Sequence, residues 1–227
     1  METNPTAARE NRIQASMLAG LEKRCLIWMA KRLPAWVGSD QLTTLGAVAM
    51  LGAGICYWVG QWYPLALLGV VLFLALNWFG DSLDGTLARV RHQERPRYGF
   101  YVDHVLDVVG MLFLFGGLVA GGFMTPMIGC SLLIAYYLLN VEIALATHTV
   151  GTFRISYWKV GPTELRILLA AGTLQLLRSA DVTLLGTRYL LFDVGGAVAI
   201  AGLVGTFISS AISNTRILYK REPLPYH

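Results

Sequence analysis

Two long stretches of this sequence carry no charged side chain. One covers the 40 residues from Gln41 to Gly80, and the other covers the 34 residues from Val108 to Val141. Because about 20 apolar residues are enough to cross the hydrocarbon core of a bilayer, each stretch has room for nearly two crossings. Only 14% of all residues are charged, well below the roughly 25% of soluble domains. These features predict an all-α polytopic membrane protein.

Caps, turns and prolines divide the chain into a tail, an interfacial helix and a membrane core. Residues 1–14 are predicted to be a mobile tail, and residues 15–33 an amphipathic helix that lies in the membrane interface. Residues 42–213 are predicted to form six transmembrane helices, within a single domain that takes up residues 1–227. The predicted helices cover approximately residues 42–60, 64–90, 98–122, 125–148, from 163 onward, and 189–213.

The distribution of lysine and arginine supports six crossings. With six helices, 16 of the 18 basic residues fall on one side of the membrane, and only Arg178 and Arg188 fall on the other. The fifth helix then requires Arg166 and Arg178 to reach the two surfaces with their long side chains. Basic residues collect on the cytoplasmic side. Both termini and the loop between the second and third helices are therefore predicted to be cytoplasmic, as in a bacterial inner-membrane protein.

Four aspartates stand at the ends of two predicted membrane helices. Asp81 and Asp84 lie one helical turn apart, and so do Asp103 and Asp107 on the next helix. Carboxylates beside a bilayer core are costly, so their presence indicates a functional site. Carboxylates on facing helices repel one another unless a cation binds them. Oxygen ligands favour Mg²⁺ or Mn²⁺ over zinc.

Small residues and an arginine accompany these carboxylates. Gly85, Ala88 and Gly99 leave the same surfaces bare, so that a ligand can approach the backbone. Arg89 offers a planar cationic fork that suits a phosphate group. The two helix ends together are therefore predicted to bind a metal ion and a phosphate-bearing ligand.

The complete pattern resembles the signature of the CDP-alcohol phosphotransferases, which are membrane enzymes of phospholipid synthesis. That signature reads D-x-x-D-G-x-x-A-R, a spacer, and G-x-x-x-D-x-x-x-D. The spacer here, residues 90–98, is one residue longer than usual and falls in a predicted turn. All eight defined positions are occupied, by Asp81, Asp84, Gly85, Ala88, Arg89, Gly99, Asp103 and Asp107.

The resemblance implies a reaction and a role for each position of the signature. In this family a CDP-linked donor loses CMP, and its phosphoryl group passes to an alcohol. The four aspartates are then expected to bind two ions of Mg²⁺ or Mn²⁺, and Asp107 is expected to serve also as the base for the acceptor hydroxyl. The resemblance further implies a homodimer. The residues expected to contact the CDP donor are Gly85, Ala88, Arg89 and Gly99.

The acceptor alcohol is less constrained by the sequence. The favoured reaction transfers a phosphatidyl group from CDP-diacylglycerol to a small polar alcohol, such as glycerol phosphate, inositol, inositol phosphate or serine. An alternative transfers phosphocholine or phosphoethanolamine from its CDP ester to diacylglycerol. Candidate acceptor residues share a charge and a place near the predicted cytoplasmic surface; they are Glu142, Arg154, Lys159 and Arg166.

Two other classes of protein fit the sequence less well. A small cation transporter would place its carboxylates near the midplane on broken helices, whereas these aspartates cluster at one edge. The net charge of +4 is spread over the flanks of membrane segments, where it suits anionic lipid headgroups and not a nucleic acid.

Overall fold

The computed structural model describes residues 19–150, 162–222 and 224, and the predicted tail at residues 1–14 lies outside that part of the chain. The described chain forms seven helices and one β-hairpin. These elements are α1 (Ala19–Ala30), α2 (Ser39–Gly60), α3 (Ala66–Val90), α4 (Pro96–Ala120), α5 (Pro126–Thr149), α6 (Pro162–Leu176), β1 (Asp181–Leu184), β2 (Thr187–Leu190) and α7 (Leu191–Arg221).

Helix α2 packs closely against both α3 and α4 because glycines remove side chains at the crossings. A Cβ atom on Gly80 of α3 would stand 2.5 Å from the carbonyl oxygen of Leu42 on α2. On the other side, a Cβ atom on Gly117 of α4 would stand 2.2 Å from the carbonyl oxygen of Gly54. Glycine at such contacts lets helix backbones meet in a membrane. As a result, α2 lies beside both helices that carry the aspartates.

Five of the described helices are long and apolar enough to cross a membrane: α2, α3, α4, α5 and α7. This confirms the prediction of a polytopic, mainly α-helical membrane protein. Helix α6 has 15 residues and covers about 22 Å at 1.5 Å per residue, which is less than the roughly 30 Å of a hydrocarbon core. The six-helix count therefore stays a prediction.

Helices α5 and α7 run in the same direction, side by side. At one end the backbone N–H of Thr125 donates to Asp193, which is in the first turn of α7. At the other end Arg221 donates to the carbonyl oxygen of Val150, just beyond α5. Since the chain leaves α5 at one end and enters α7 at the other, the segment between them has to return through the full depth of the bundle.

Helix α6 makes most of that return alongside α3. Near its start Arg166 contacts Asp81 at 2.5 Å, close to the end of α3 that carries the signature. Two turns later the hydroxyl of Thr173 lies 2.5 Å from that of Tyr57, near the opposite end of α2. The chain then forms the β-hairpin, whose two ends lie together because the backbone N–H of Leu191 donates to the carbonyl oxygen of Ala180 at 2.8 Å. Helix α7 therefore begins close to where α6 ends.

The structure corrects two details of the sequence-based prediction. The fold is not purely helical, because residues 181–190 form an antiparallel hairpin whose turn places Leu185 and Gly186 at positive φ. The last helix begins at Leu191 and continues to Arg221, eight residues beyond the predicted end at 213. No proline interrupts it before Pro223, and its basic last turn is favourable at a helix C-terminus.

Helix α1 covers the part of the predicted interfacial helix that the structure describes. Its Leu26 and Ala30 are buried against Leu83 and Leu87, which lie on the signature-bearing end of α3. Trp28 on α1 remains exposed, with the guanidinium of Arg32 over its ring. Helix α1 thus meets α3 through an apolar patch and through Glu22, which accepts a hydrogen bond of 2.8 Å from the Nε1 atom of Trp78. Trp28 and Arg32 form a cationic and aromatic surface elsewhere, as expected for a membrane interface.

Candidate active site

Three of the four signature aspartates converge between α3 and α4. Asp81, Asp103 and Asp107 each present one carboxylate oxygen, and the three oxygens lie within 4.8 Å of one another. At an effective dielectric constant of about 20, two full charges at that separation repel by about 3–4 kcal/mol. Asp107 is the exposed member of this three-aspartate cluster, and the other two are half-buried. The cluster therefore favours a divalent cation.

A small cavity lies against the three-aspartate cluster. It measures about 20 Å³, and its walls come from α2, α3 and α4. That volume accommodates a single ion or water molecule. Carboxylate oxygens without nitrogen or sulfur donors match the preferences of Mg²⁺ and Mn²⁺. The cavity is lined by Thr43, Gly46, Ala47, Met50, Asn77, Asp81, Asp103, Leu106 and Asp107.

The fourth aspartate, Asp84, faces α2 in place of joining the cluster. Its Oδ2 atom accepts a hydrogen bond of 2.6 Å from the hydroxyl of Thr43, and its Oδ1 atom accepts one from the backbone N–H of Gly85. The hydroxyl of Ser39 donates to the backbone carbonyl of Asp84 at 3.0 Å. Helix α2 thus holds both the side chain and the backbone of Asp84.

An arginine from α6 enters the three-aspartate cluster. The Nη2 atom of Arg166 donates to the Oδ2 atom of Asp81 at 2.5 Å, and its Nε atom donates to the Oδ1 atom of Asn77 at 2.7 Å. Arg166 was predicted to contact the acceptor, and the structure places its guanidinium directly on a candidate metal ligand. Asn77, buried at 5% exposure, belongs to this site, although it lies outside the signature.

The small residues of the signature border open space. A Cβ atom on Gly99 would meet nothing within 4 Å, and one on Gly85 would meet only the guanidinium of Arg89, at 3.6 Å. Packing therefore does not explain glycine at either position, and both backbones are left open to the approach of a ligand. Arg89 is exposed, and its Nη2 atom donates to Thr86 at 3.1 Å. Together with the half-buried Ala88, these residues form a surface beside the carboxylates.

Glu142 lies between α5 and α7. It is 8% exposed, and its Oε1 atom accepts hydrogen bonds from Ser210 at 2.9 Å and from Asn214 at 2.7 Å. Its Oε2 atom is buried with no hydrogen-bond partner in the described part of the chain. These contacts tie the two parallel helices together. The remaining acceptor candidates, Arg154 and Lys159, lie outside the described residues.

Two polar residues of the site, Thr43 and Asn77, lie outside the signature. Asn77 interrupts an apolar helix four residues before Asp81, on the same helical face, and this spacing could have identified it. Thr43 stands near the start of α2, where a hydroxyl is common, and no pattern in the sequence pairs it with Asp84.

The fold and the site define a polytopic membrane protein with a carboxylate cluster suited to a metal ion between two of its helices. The chain belongs to the CDP-alcohol phosphatidyltransferase family, whose model matches residues 36–208 and so includes the whole signature. Enzymes of this family transfer phospholipid head groups with CDP-alcohol substrates and are generally dependent on divalent metals. A search of curated proteins returns no match to this chain.

Proposed function

We propose that this protein transfers a phosphatidyl group from CDP-diacylglycerol to the hydroxyl group of a small polar alcohol and releases CMP. The convergence of Asp81, Asp103 and Asp107, in the halves of α3 and α4 nearest the turn that joins these helices, carries the proposal. Such a position gives access to both a lipid tail in the bilayer and a nucleotide in water. The acceptor belongs to the class of glycerol phosphate, inositol, inositol phosphate and serine.

The signature residues have different roles in the proposed phosphoryl transfer. Asp81, Asp103 and Asp107, with Asp84 as a further ligand, would hold a divalent cation. Such a cation would supply Lewis-acid stabilisation of the negative charge on the diphosphate and on the CMP leaving group. Gly85, Ala88, Arg89 and Gly99 hold the CDP moiety, with the Arg89 guanidinium on phosphate oxygens. This positioning supplies much of the rate in phosphoryl transfer.

Asp107 is the proposed base. It is the exposed carboxylate of the cluster, so an acceptor hydroxyl can reach it. Its carboxylate takes the hydroxyl proton as the acceptor oxygen attacks phosphorus and the bond from phosphorus to CMP breaks. Asp81 and Asp103, which are half-buried, remain ligands throughout. A cation transporter is disfavoured because transporters place their sites on broken helices, whereas α3 and α4 are continuous.

We also propose the arrangement in the membrane. The end that carries the signature faces the cytoplasm, as the basic residues indicate. Helix α6 is a sixth crossing, because the parallel course of α5 and α7 requires a return through the bilayer. The whole chain acts as a single domain, and the active form is a homodimer in a bacterial inner membrane, as the family resemblance implies.

The release of CMP by purified protein in lipid nanodiscs tests this function. CDP-diacylglycerol and Mg²⁺ or Mn²⁺ are supplied with each acceptor of the class in turn. Release with one acceptor, abolished by EDTA and by Asp103→Asn, is the expected result. CMP release from CDP-choline or CDP-ethanolamine with diacylglycerol would show instead that the protein transfers phosphocholine or phosphoethanolamine to diacylglycerol. No release with any pair would overturn the enzymatic assignment.

A further inference from the structure

Arg166 brings a positive charge from α6 into the three-aspartate cluster. Its ion pair with Asp81 is partly shielded from solvent, with the two side chains 15% and 25% exposed. A guanidinium that donates to a shielded carboxylate makes a strong, directional contact. Metal-free clusters of carboxylates are destabilised by mutual repulsion, and a cation on one member relieves it.

Asn77 determines where that guanidinium lies. Its Nδ2 atom donates to the carbonyl oxygen of Gly46 at 3.0 Å, which leaves Oδ1 to accept from Arg166. A carbonyl oxygen can only accept and a guanidinium can only donate, so the partners themselves fix the orientation of the amide. Asn77 and Asp81 are four residues apart on one face of α3. The Nε and Nη2 atoms of Arg166 therefore bridge two successive turns of that helix.

Packing alone does not account for this arrangement. A buried amide and a half-buried guanidinium are costly in a membrane helix bundle, and apolar side chains would fill the same space at lower cost. The anchor to Asn77 is independent of Asp81. If a divalent cation binds the Asp81 carboxylate and displaces part of its contact with Arg166, the hydrogen bond to Asn77 still holds Arg166 beside the site.

We propose that Arg166 is a positioning residue that acts as the resident counter-cation of the three-aspartate cluster, oriented by Asn77. It keeps Asp81 in place before a divalent cation binds and yields part of this contact when the cation arrives. The inference deepens the proposed function, on which its metal site rests. In this interpretation Arg166 serves as the cationic partner of Asp81 and not as a ligand of an acceptor phosphate.

The test measures thermal unfolding and Mn²⁺ binding of the full chain in detergent, the latter by electron paramagnetic resonance of free Mn²⁺. Arg166→Gln should lower the melting temperature of the metal-free protein and increase the stabilisation that Mn²⁺ produces. It should also tighten Mn²⁺ binding at least threefold, because a competing charge is gone. Arg178→Gln is the control. Arg178 is exposed and lies just beyond the far end of α6, so its replacement should change neither the melting temperature nor Mn²⁺ binding.

Asn77→Leu gives a second route to the same result. It removes the anchor of Arg166, so it should shift Mn²⁺ binding in the same direction by a smaller factor. In the double variant with Arg166→Gln, no further tightening is expected because the two residues act as one unit. If Arg166→Gln does not fold, Asn77→Leu carries the comparison alone.

Three results overturn the inference. Equal losses of melting temperature with and without Mn²⁺ would show that Arg166 only packs α6 on α3. Weaker Mn²⁺ binding in Arg166→Gln would show that the guanidinium does not compete with the metal. Wild-type protein that binds no Mn²⁺, with Asp103→Asn indistinguishable from it, would remove the metal site of the proposed function and this inference together.

Discussion

Thr43 on α2 donates a hydrogen bond of 2.6 Å to the Oδ2 atom of Asp84 on α3. Helix α2 contains no residue of the aspartate signature, yet it supplies this contact and part of the wall of the cavity beside the cluster. The hydroxyl fixes the orientation of the Asp84 carboxylate beside the cluster. The site is thus built by three helices, two that carry the carboxylates and one that orients them.

Replacement of Thr43 by valine should weaken catalysis without loss of the fold. Valine has nearly the same shape but cannot donate to Asp84, and a hydrogen bond to a charged group contributes about 1.5–3 kcal/mol. We expect kcat/KM for CMP release to fall by about 10- to 100-fold. Initial rates over a range of donor concentrations give this ratio.

The adjacent Thr44 provides the matched control for this experiment. Its hydroxyl donates to the backbone carbonyl of Asp40 at 2.8 Å, and its side chain is exposed. Thr44→Val therefore makes the same chemical change one residue away without touching the site. Similar rates in the two variants would contradict the role assigned to Thr43.

The sequence predicted the elements of this fold far better than their connections. Membrane helices follow from apolar length, and the pairing of Asp103 with Asp107 follows from helical periodicity; both are local properties. The link between Arg166 and Asp81 spans 85 positions of sequence and depends on how α6 packs against α3. No local pattern contains that information, so Arg166 was assigned to the acceptor.

The β-hairpin was missed for a related reason. Its strands have four residues each, and the turn has Leu185 before Gly186 where asparagine or aspartate is usual, so the two-residue turn signal is weak. The two ends of the hairpin lie together at the backbone hydrogen bond from Leu191 to Ala180. The hairpin is therefore a short local excursion between α6 and α7, which neither apolar length nor helical periodicity indicates.

Asp107→Asn should abolish CMP release while donor binding persists. The amide keeps the size of the side chain and one acceptor oxygen, but it cannot take a proton from the acceptor hydroxyl. We expect a fall in kcat of at least 100-fold, with a CDP-diacylglycerol dissociation constant within about threefold of wild type. Equilibrium binding of labelled donor and steady-state rates measure the two. Retention of wild-type kcat would remove Asp107 from the role of base.

A leucine at Gly99 should block the proposed donor surface while leaving the fold intact. Nothing stands within 4 Å of a Cβ atom at this position, so the larger side chain disturbs no packing. It would project into the space assigned to CDP, and we expect the KM for CDP-diacylglycerol to rise about tenfold or more, which corresponds to at least 1.4 kcal/mol.

Gly116 on the same helix is equally open and lies far from the aspartates, which makes Gly116→Leu the control for Gly99→Leu. Both substitutions add the same side chain to an exposed position of α4. Their melting temperatures should agree, and only Gly99→Leu should change the KM. If the KM rose equally in both variants, the cause would be a general disturbance of α4, and a donor surface at Gly99 would be excluded.

If α6 crosses the membrane, single cysteines introduced at the two ends of the bundle should react with an impermeant reagent from opposite sides of the membrane. The three native cysteines are free, so they are first replaced, and a single cysteine is then introduced at Thr187 on the hairpin or at Gln93 between α3 and α4. Both positions are exposed. In sealed vesicles with the cytoplasmic face inside, an impermeant maleimide should modify Thr187→Cys at once and Gln93→Cys only after permeabilisation. Modification of both cysteines from one side would contradict a membrane crossing by α6.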